Sequence, residues 1–193
     1  KKTGHSELYS YPELIETTYD NDERYKRIFV IGINDFNGQL YPQRTELEPT
    51  PKGKRYLNSG GITAAKSYLD ILKTKFKDQV ITLDAGSFLS KRTEHKKSIF
   101  LYNYLGVDAV NLGTNEYSLE TNYSNYPSYL SKLFKKANFQ VVASNIQDLK
   151  TGEKADWNFL NSSLIKKVNG LKVGLIVINS QKNAHTNSNK KLN

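Results

Sequence analysis

The chain has 193 residues, 37% of them hydrophobic and 24% charged, which suits one globular domain or part of a larger one and excludes a disordered chain. It contains no cysteine, so disulfides, thiol nucleophiles and cysteine metal ligands are excluded. The formal net charge of +9 is spread along the chain and carried mostly by Lys. Base-reading and bidentate phosphate sites favour Arg. The excess therefore reads as a composition rich in Lys, Asn and Tyr rather than as a nucleic-acid surface, and it is compatible with a weak anionic ligand.

Lys1 to Lys26 is polar and without period, and reads as an irregular leader. The start at Lys1-Lys2, without methionine, reads as a processed or excised form. Arg27 to Asn34 (RIFVIGIN) is a continuous apolar run, as in a strand buried on both faces. Gln39 to Asn58, with Pro42, Pro49, Pro51 and Gly53, reads as a long loop. Ser59-Gly60-Gly61 opens a helix to about Phe76, with Ile62, Ala65, Leu69 and Leu72 as its apolar stripe. Gln79 to Leu83 is a second strand. A helix over Lys96 to Leu105 follows, with Gly106 placed as its C-cap.

Val107 to Leu112 reads as a third strand and Tyr126 to Ala137 as a helix with Pro127 in its first turn. Phe139 to Ala143 is a fourth strand. Leu164 to Val168 and Leu171 to Ile178 form a hairpin around Asn169-Gly170. Residues 180–193, rich in Asn, Ser and Lys, read as a polar tail or linker. No apolar run approaches the roughly 18 residues of a membrane-spanning helix.

Alternating strands and helices imply an α/β domain with a largely parallel sheet, residues 27–179 forming one unit. Right-handed crossovers then bring the loops that follow the strands to one sheet edge, where ligands bind. Three such loops stand out: INDFNGQL (Ile33 to Leu40), LDAGSFLS (Leu83 to Ser90) and NLGTNEYS (Asn111 to Ser118).

With the segments GGITAAKSYLDILK, FKKANFQVVASNIQD and KKVNGLKVGLIVIN between and after them, these loops resemble the N-terminal half of the metallophosphoesterase domain of the 5′-nucleotidase family. That family's pattern runs NDxHG, GG with a helix, LDAGD, LGNHE, an SANI-like strand and a GxKVGxIG strand. The resemblance covers about Ile28 to Asn179 in order. It implies a metallophosphoesterase-like αββα sandwich, here roughly its first half, with a mainly parallel sheet flanked by helices. It also implies export to the periplasm, the cell surface or the exterior.

Family members use two divalent metals about 3.5–4 Å apart to activate water and clamp a phosphate. Carried onto this chain, the resemblance keeps Asp35 as a ligand but places Asn37 where the metal-binding His stands. The bridging Asp of LDAGD is Ser87, and the Asn and His of GNHE are Thr114 and Asn115. A one-residue slip between Gly113 and Glu116 would let Asn115 serve as the metal-binding Asn. Asp84, Gly113 and Glu116 are retained motif residues; Asp84 occurs in active members too and is not an obvious replacement, and Glu116 is structural in the family rather than a ligand. The family's remaining His ligands belong to a GHxH-like loop that these 193 residues do not reach. His5, His95 and His185 lie in the leader, a polar turn and the tail, and read as solvated surface residues.

One carboxylate cannot offset four positive charges, so the expectation is a catalytically inactive 5′-nucleotidase-like protein with no cofactor, retained for binding or assembly. Its partner would be another protein or the second half of the domain. The alternative is a working nucleotide hydrolase whose other ligands come from that half or from a partner chain. Asn122-Tyr123-Ser124 and Asn161-Ser162-Ser163 match glycosylation sequons, as an Asn-rich chain does by chance. Tyr117, Tyr123, Tyr126 and Tyr129 cluster after the third loop and read more simply as packing over its edge than as an exposed aromatic surface for a base or a protein partner, and Lys132 to Lys136 as a solvated helix face.

Overall fold

Five parallel strands carry the fold: β1 (Phe29–Ile33), β4 (Val80–Asp84), β5 (Ala109–Val110), β6 (Gln140–Val142) and β7 (Leu160–Asn161), in that spatial order. The computed structural model describes residues 22–89, 95–117, 126–147 and 152–179. Most of the expected leader and all of the tail lie outside the described residues.

Helix α1 (Ile62–Phe76) connects toward β4, α2 (His95–Leu105) connects β4 to β5, and α4 (Tyr126–Phe134) connects β5 to β6. A single-turn helix, α3 (Thr114–Tyr117), follows β5. Each longer helix sends its apolar stripe onto the sheet. Leu69 of α1, Ile99, Tyr102 and Leu105 of α2, and Leu130, Leu133 and Phe134 of α4 are buried together with Val110, Phe139 and Val141. Phe88 sits at the centre, with its ring 4.6 Å from that of Tyr102 and 5.9 Å from that of Phe139. Buried aromatics of this kind contribute both area and directional packing. Gly106, at φ +70, closes α2 by donating its N–H to Tyr102 O at 3.0 Å.

Two expectations are corrected here. The run Arg27 to Asn34 is not buried on both faces. Among the described residues β1 pairs only with β4, turns Ile31 and Ile33 into the core, and leaves Val30 64% exposed. The supposed loop over residues 39–58 is a β-hairpin, β2 (Gln43–Thr50) with β3 (Gly53–Ser59). Pro49 and Pro51 did not break it because they fall at the bulged tip, where the ladder register shifts and fewer N–H donors are needed. Its polar strands are held by side-chain pairs: Arg44 lies 3.9 Å from the Tyr56 ring centre and Lys54 is 3.0 Å from Glu46.

The expected strand over Val107 to Leu112 contracts to Ala109–Val110, and the helix and strand that follow it shorten likewise to Tyr126–Phe134 and Gln140–Val142. The second hairpin, β8 (Leu164–Val168) with β9 (Leu171–Leu175), turns at Asn169 (φ +48) and Gly170 (φ +76), as its Asn-Gly predicts. Its tip is fastened by Asn169, whose N–H donates to Asp78 O and whose amide donates to Arg27 O, both at 2.9 Å. Lys166 meets Asp108 at 2.6 Å. The outward face of this hairpin leaves Ile165 and, just beyond β9, Ile176 and Ile178 more than two-thirds exposed. Among the described residues no helix is long and apolar enough to cross a membrane.

Candidate functional site

The three loops follow β1, β4 and β5, which are neighbours in the sheet, so their convergence is dictated by the parallel topology. The contacts are chiefly backbone. Ala85 N–H donates to Ile33 O at 2.8 Å, Asp35 N–H to Gly86 O at 3.1 Å and Asn37 N–H to Ser87 O at 3.0 Å. Gly86 and Gly113 touch backbone to backbone. A Cβ on Gly113 would collide with Ser87 N, and one on Gly86 would lie 2.7 Å from Gly113 N.

Glu116 locks the second loop to the third. Its fully buried carboxylate accepts N–H bonds from Ser87 (2.9 Å), Leu89 (2.7 Å) and Gly113 (2.6 Å). Burial pushes its pKa up, while these backbone donors pull it down. Asp84 is buried as well. Its Oδ1 accepts from Gly86 N–H at 2.6 Å and its Oδ2 from the Tyr102 hydroxyl at 2.5 Å. Loss of solvent raises its pKa to about 7; the bonds from Tyr102 and Gly86 oppose that, and the nearby Glu116 and Asp35 add to it. Burial and the neighbouring Asp84 push the Tyr102 hydroxyl up, so it stays a proton donor.

Asp35, Asn37, Ser87, Asn115 and Glu116 are brought together, and Thr114 begins α3 beside them. Asn37 and Asn115 satisfy each other: Asn115 Nδ2 donates to Asn37 Oδ1 at 2.5 Å and to Leu89 O at 2.9 Å. Asn37 Nδ2 donates to Asp35 O at 2.7 Å. Asp35 keeps an exposed carboxylate, touched by Asn34 Nδ2 at 3.3 Å. Three of these residues hold positive φ without being glycine: Asp35 at +50°, Asn37 at +51° and Ser87 at +59°. Backbone strain of this sort clusters at functional sites.

The residues present do not fit a two-metal centre. Such a centre needs anionic and imidazole donors converging on one point. Asp84 and Glu116 are committed to a hydroxyl and to backbone N–H groups, and the Asn37 carbonyl is engaged by Asn115. Among the described residues no group of three or more His, Cys, Asp or Glu could hold a metal ion. His95 is not a solvated turn residue. It is the half-buried first residue of α2, its Nδ1 lying 2.5 Å from the Tyr129 hydroxyl. His5 and His185 lie outside the described residues, as does Tyr123.

Sequence reasoning missed a second group of asparagines on the same edge. Asn111, at the end of β5, donates to Ala85 O at 3.0 Å and to Asn179 Oδ1 at 2.8 Å, while Asn145 and Asn179 exchange two bonds. Their only sequence signal was position after an apolar run, and the high Asn content hides it.

This arrangement of loops on a parallel sheet occurs in solved structures. The NAD nucleotidase NadN of Haemophilus influenzae superposes with a TM-score of 0.64 at 21% identity, over 81% of this chain and 27% of that one. The 5′-nucleotidase precursor of Thermus thermophilus gives 0.63 at 22% identity, over 81% and 29%. The fold is that of the N-terminal half of a 5′-nucleotidase-type metallophosphoesterase domain. The sulfate thiohydrolase SoxB of Thermus thermophilus shares it more distantly, with a TM-score of 0.58 at 15% identity, over 79% of this chain and 35% of that one. The chain thus spans less than a third of the length of the two nucleotidases. No protein-family model and no curated protein sequence matches it.

Proposed function

We propose that this chain is a catalytically inactive relative of the 5′-nucleotidase-type metallophosphoesterases, retained for binding or assembly. The observation that carries the reading is the hydrogen-bonded pair Asn37–Asn115, where the resemblance puts two histidines of the reaction centre. Ser87 stands at the bridging position and Thr114 at the metal-binding Asn, so Asp35 is the one carboxylate left among these positions. Neutral amides cannot offset two divalent cations, and loss of metals and charge-stabilising donors removes the main sources of rate in such chemistry. A role in assembly draws further support from Ile165 on the β8–β9 hairpin and Ile176 and Ile178 just beyond it, exposed apolar side chains that a second layer of protein would cover. The fold likeness to nucleotidases favours an exported protein, in the periplasm, on the cell surface or outside the cell.

The test is metal analysis after loading with Mn²⁺ or Zn²⁺ and dialysis, together with hydrolysis of AMP and of bis(p-nitrophenyl) phosphate. The expected result is substoichiometric metal and no turnover above the uncatalysed rate. Stoichiometric metal with turnover would overturn the proposal. A second reading, favoured by the 27% and 29% coverage of the solved nucleotidases, is a hydrolase whose remaining ligands come from further polypeptide. It requires that a co-purifying or appended segment with a GHxH-like loop confer metal binding on this chain, and it fails if no such segment does.

A further inference from the structure

Helices α2 and α4 leave a groove of about 450 Å³ between them. Its floor is Ile99 and Leu133, both of which also reach into the core. One rim carries Lys96 and the 69%-exposed ring of Phe100, the other Lys132 and Lys136. Hydrogen bonds join the two sides of the groove at each end. At one end His95 of α2 bonds Tyr129 of α4. At the other, Asn103 of α2 donates to Lys136 O at 2.7 Å and accepts from Asn138 N–H at 2.7 Å. These two clasps are eight residues apart on α2, about 12 Å along a helix axis.

The charge is one-sided. Neither α2 (HKKSIFLYNYL) nor α4 (YPSYLSKLF) contains an acidic residue. Among the described residues, Lys96, Lys132 and Lys136 have no ion-pair partner, and all three are exposed. Lys132 lies in the last turn of α4 and Lys136 in the turn just beyond it, so two cations border one rim and complement acidic side chains on a facing helix. An exposed Phe beside an apolar floor supplies the anchor that a purely electrostatic surface lacks.

We propose that the α2–α4 groove is a docking site for an acidic amphipathic helix of a partner protein. Its carboxylates face Lys132, Lys136 and Lys96 while its apolar residues enter the Ile99–Leu133 floor beside Phe100, a helix-in-groove mode. The groove's lining includes none of the residues of the three loops, so the proposal does not depend on whether they bind metal.

The test uses the 193-residue chain. The probe is a fluorescein-labelled helical peptide of about 16 residues, with Glu at i and i+4 and Leu between them. The control peptide has every Glu replaced by Lys. Fluorescence anisotropy is expected to show saturable binding of the acidic peptide only, weakening with salt. Lys132→Glu/Lys136→Glu should weaken it about tenfold or more and Lys132→Gln/Lys136→Gln less, both with unchanged circular dichroism because the two side chains are exposed. Amide shift changes in NMR should cluster on α2 and α4. The proposal is overturned if the acidic peptide shows no saturable binding, if the charge-reversed variant binds it undiminished, or if these lysines bind duplex DNA or phosphatidylserine vesicles and not the peptide.

Discussion

Replacing Glu116 with Gln tests whether one buried carboxylate organises the loop edge. The Oε2 atom accepts from Ser87 and Gly113, and Oε1 accepts from Leu89. A Gln side chain satisfies the first pair best with its carbonyl oxygen, which turns its NH₂ group toward the Leu89 N–H. That leaves one buried donor facing another, at a cost of about 1–3 kcal/mol. The other two bonds change from charge-assisted to neutral, each losing roughly half its strength. Removal of the buried charge offsets part of this, since burial already disfavours the ionised form. The expected net loss is about 3 kcal/mol at neutral pH, read from urea unfolding with an unchanged m-value. Hydrogen exchange at Ser87, Leu89 and Gly113 should accelerate together. A loss below about 0.5 kcal/mol, with those three amides still protected, would show that backbone interlock alone shapes the loops.

Asp84→Asn probes the other buried carboxyl, because Asn still accepts from Gly86 and donates to a rotated Tyr102 hydroxyl. A folded-state pKa raised to about 7 from 3.8 means that the native state holds its proton more tightly, so stability is lost as pH rises toward 7. Wild type should therefore lose about 2–3 kcal/mol relative to Asp84→Asn between pH 5 and pH 8, and a difference in unfolding free energy that stays flat would contradict the burial argument. Gly113→Ala drives a Cβ into Ser87 N and should cost about 3 kcal/mol, whereas Gly32→Ala, with nothing inside 4 Å, should change stability by less than about 1 kcal/mol; equal Tm shifts for the two would refute the close approach. Asn37→His with Ser87→Asp places an imidazole and a carboxylate beside Asp35, so Mn²⁺ binding measured by electron paramagnetic resonance should appear in the variant at concentrations where wild type shows none, and its failure would mean that the loops do not present these positions to one point.

The sheet, its helices and the meeting of the loops were legible in the sequence because period and topology act locally. Apolar stripes gave α1, α2 and α4, and Asn169-Gly170 gave a hairpin wherever its strands went. The β2–β3 hairpin was not legible, since both strands are exposed and polar and carry no hydrophobic alternation to read. Nor was the edge position of β1, because a run such as FVIGI looks the same whether one face is covered or two. At the site, residue identities could be aligned but their partners could not. That Asp84 would turn inward to Tyr102, that His95 would clasp Tyr129, and that Asn37 would pair with Asn115 across 78 positions are long-range facts set by tertiary packing.

The positive φ angles carry the argument about what persists when chemistry changes. Asp35, Asn37 and Ser87 hold a backbone conformation that costs a non-glycine residue roughly 1–2 kcal/mol each. Asp and Asn tolerate it best, through local side-chain bonds such as Asn37 Nδ2 to Asp35 O. Ser87 has less such help, and is held instead by its own backbone, with its N–H bonded to Glu116 and its carbonyl to Asn37 N–H. The strain at Ser87 is therefore sustained by the same Glu116 carboxylate and glycine contact that join the loops. Under the proposed function, loop shape and site chemistry are separable: the shape resides in Gly86, Gly113, Glu116 and backbone bonds, and the proposal puts the chemistry in side chains such as Asn37 and Asn115. On the proposed reading, neutral side chains at these positions are tolerated because the loop scaffold does not rest on them, and Asn37 bonds Asn115 across the loops.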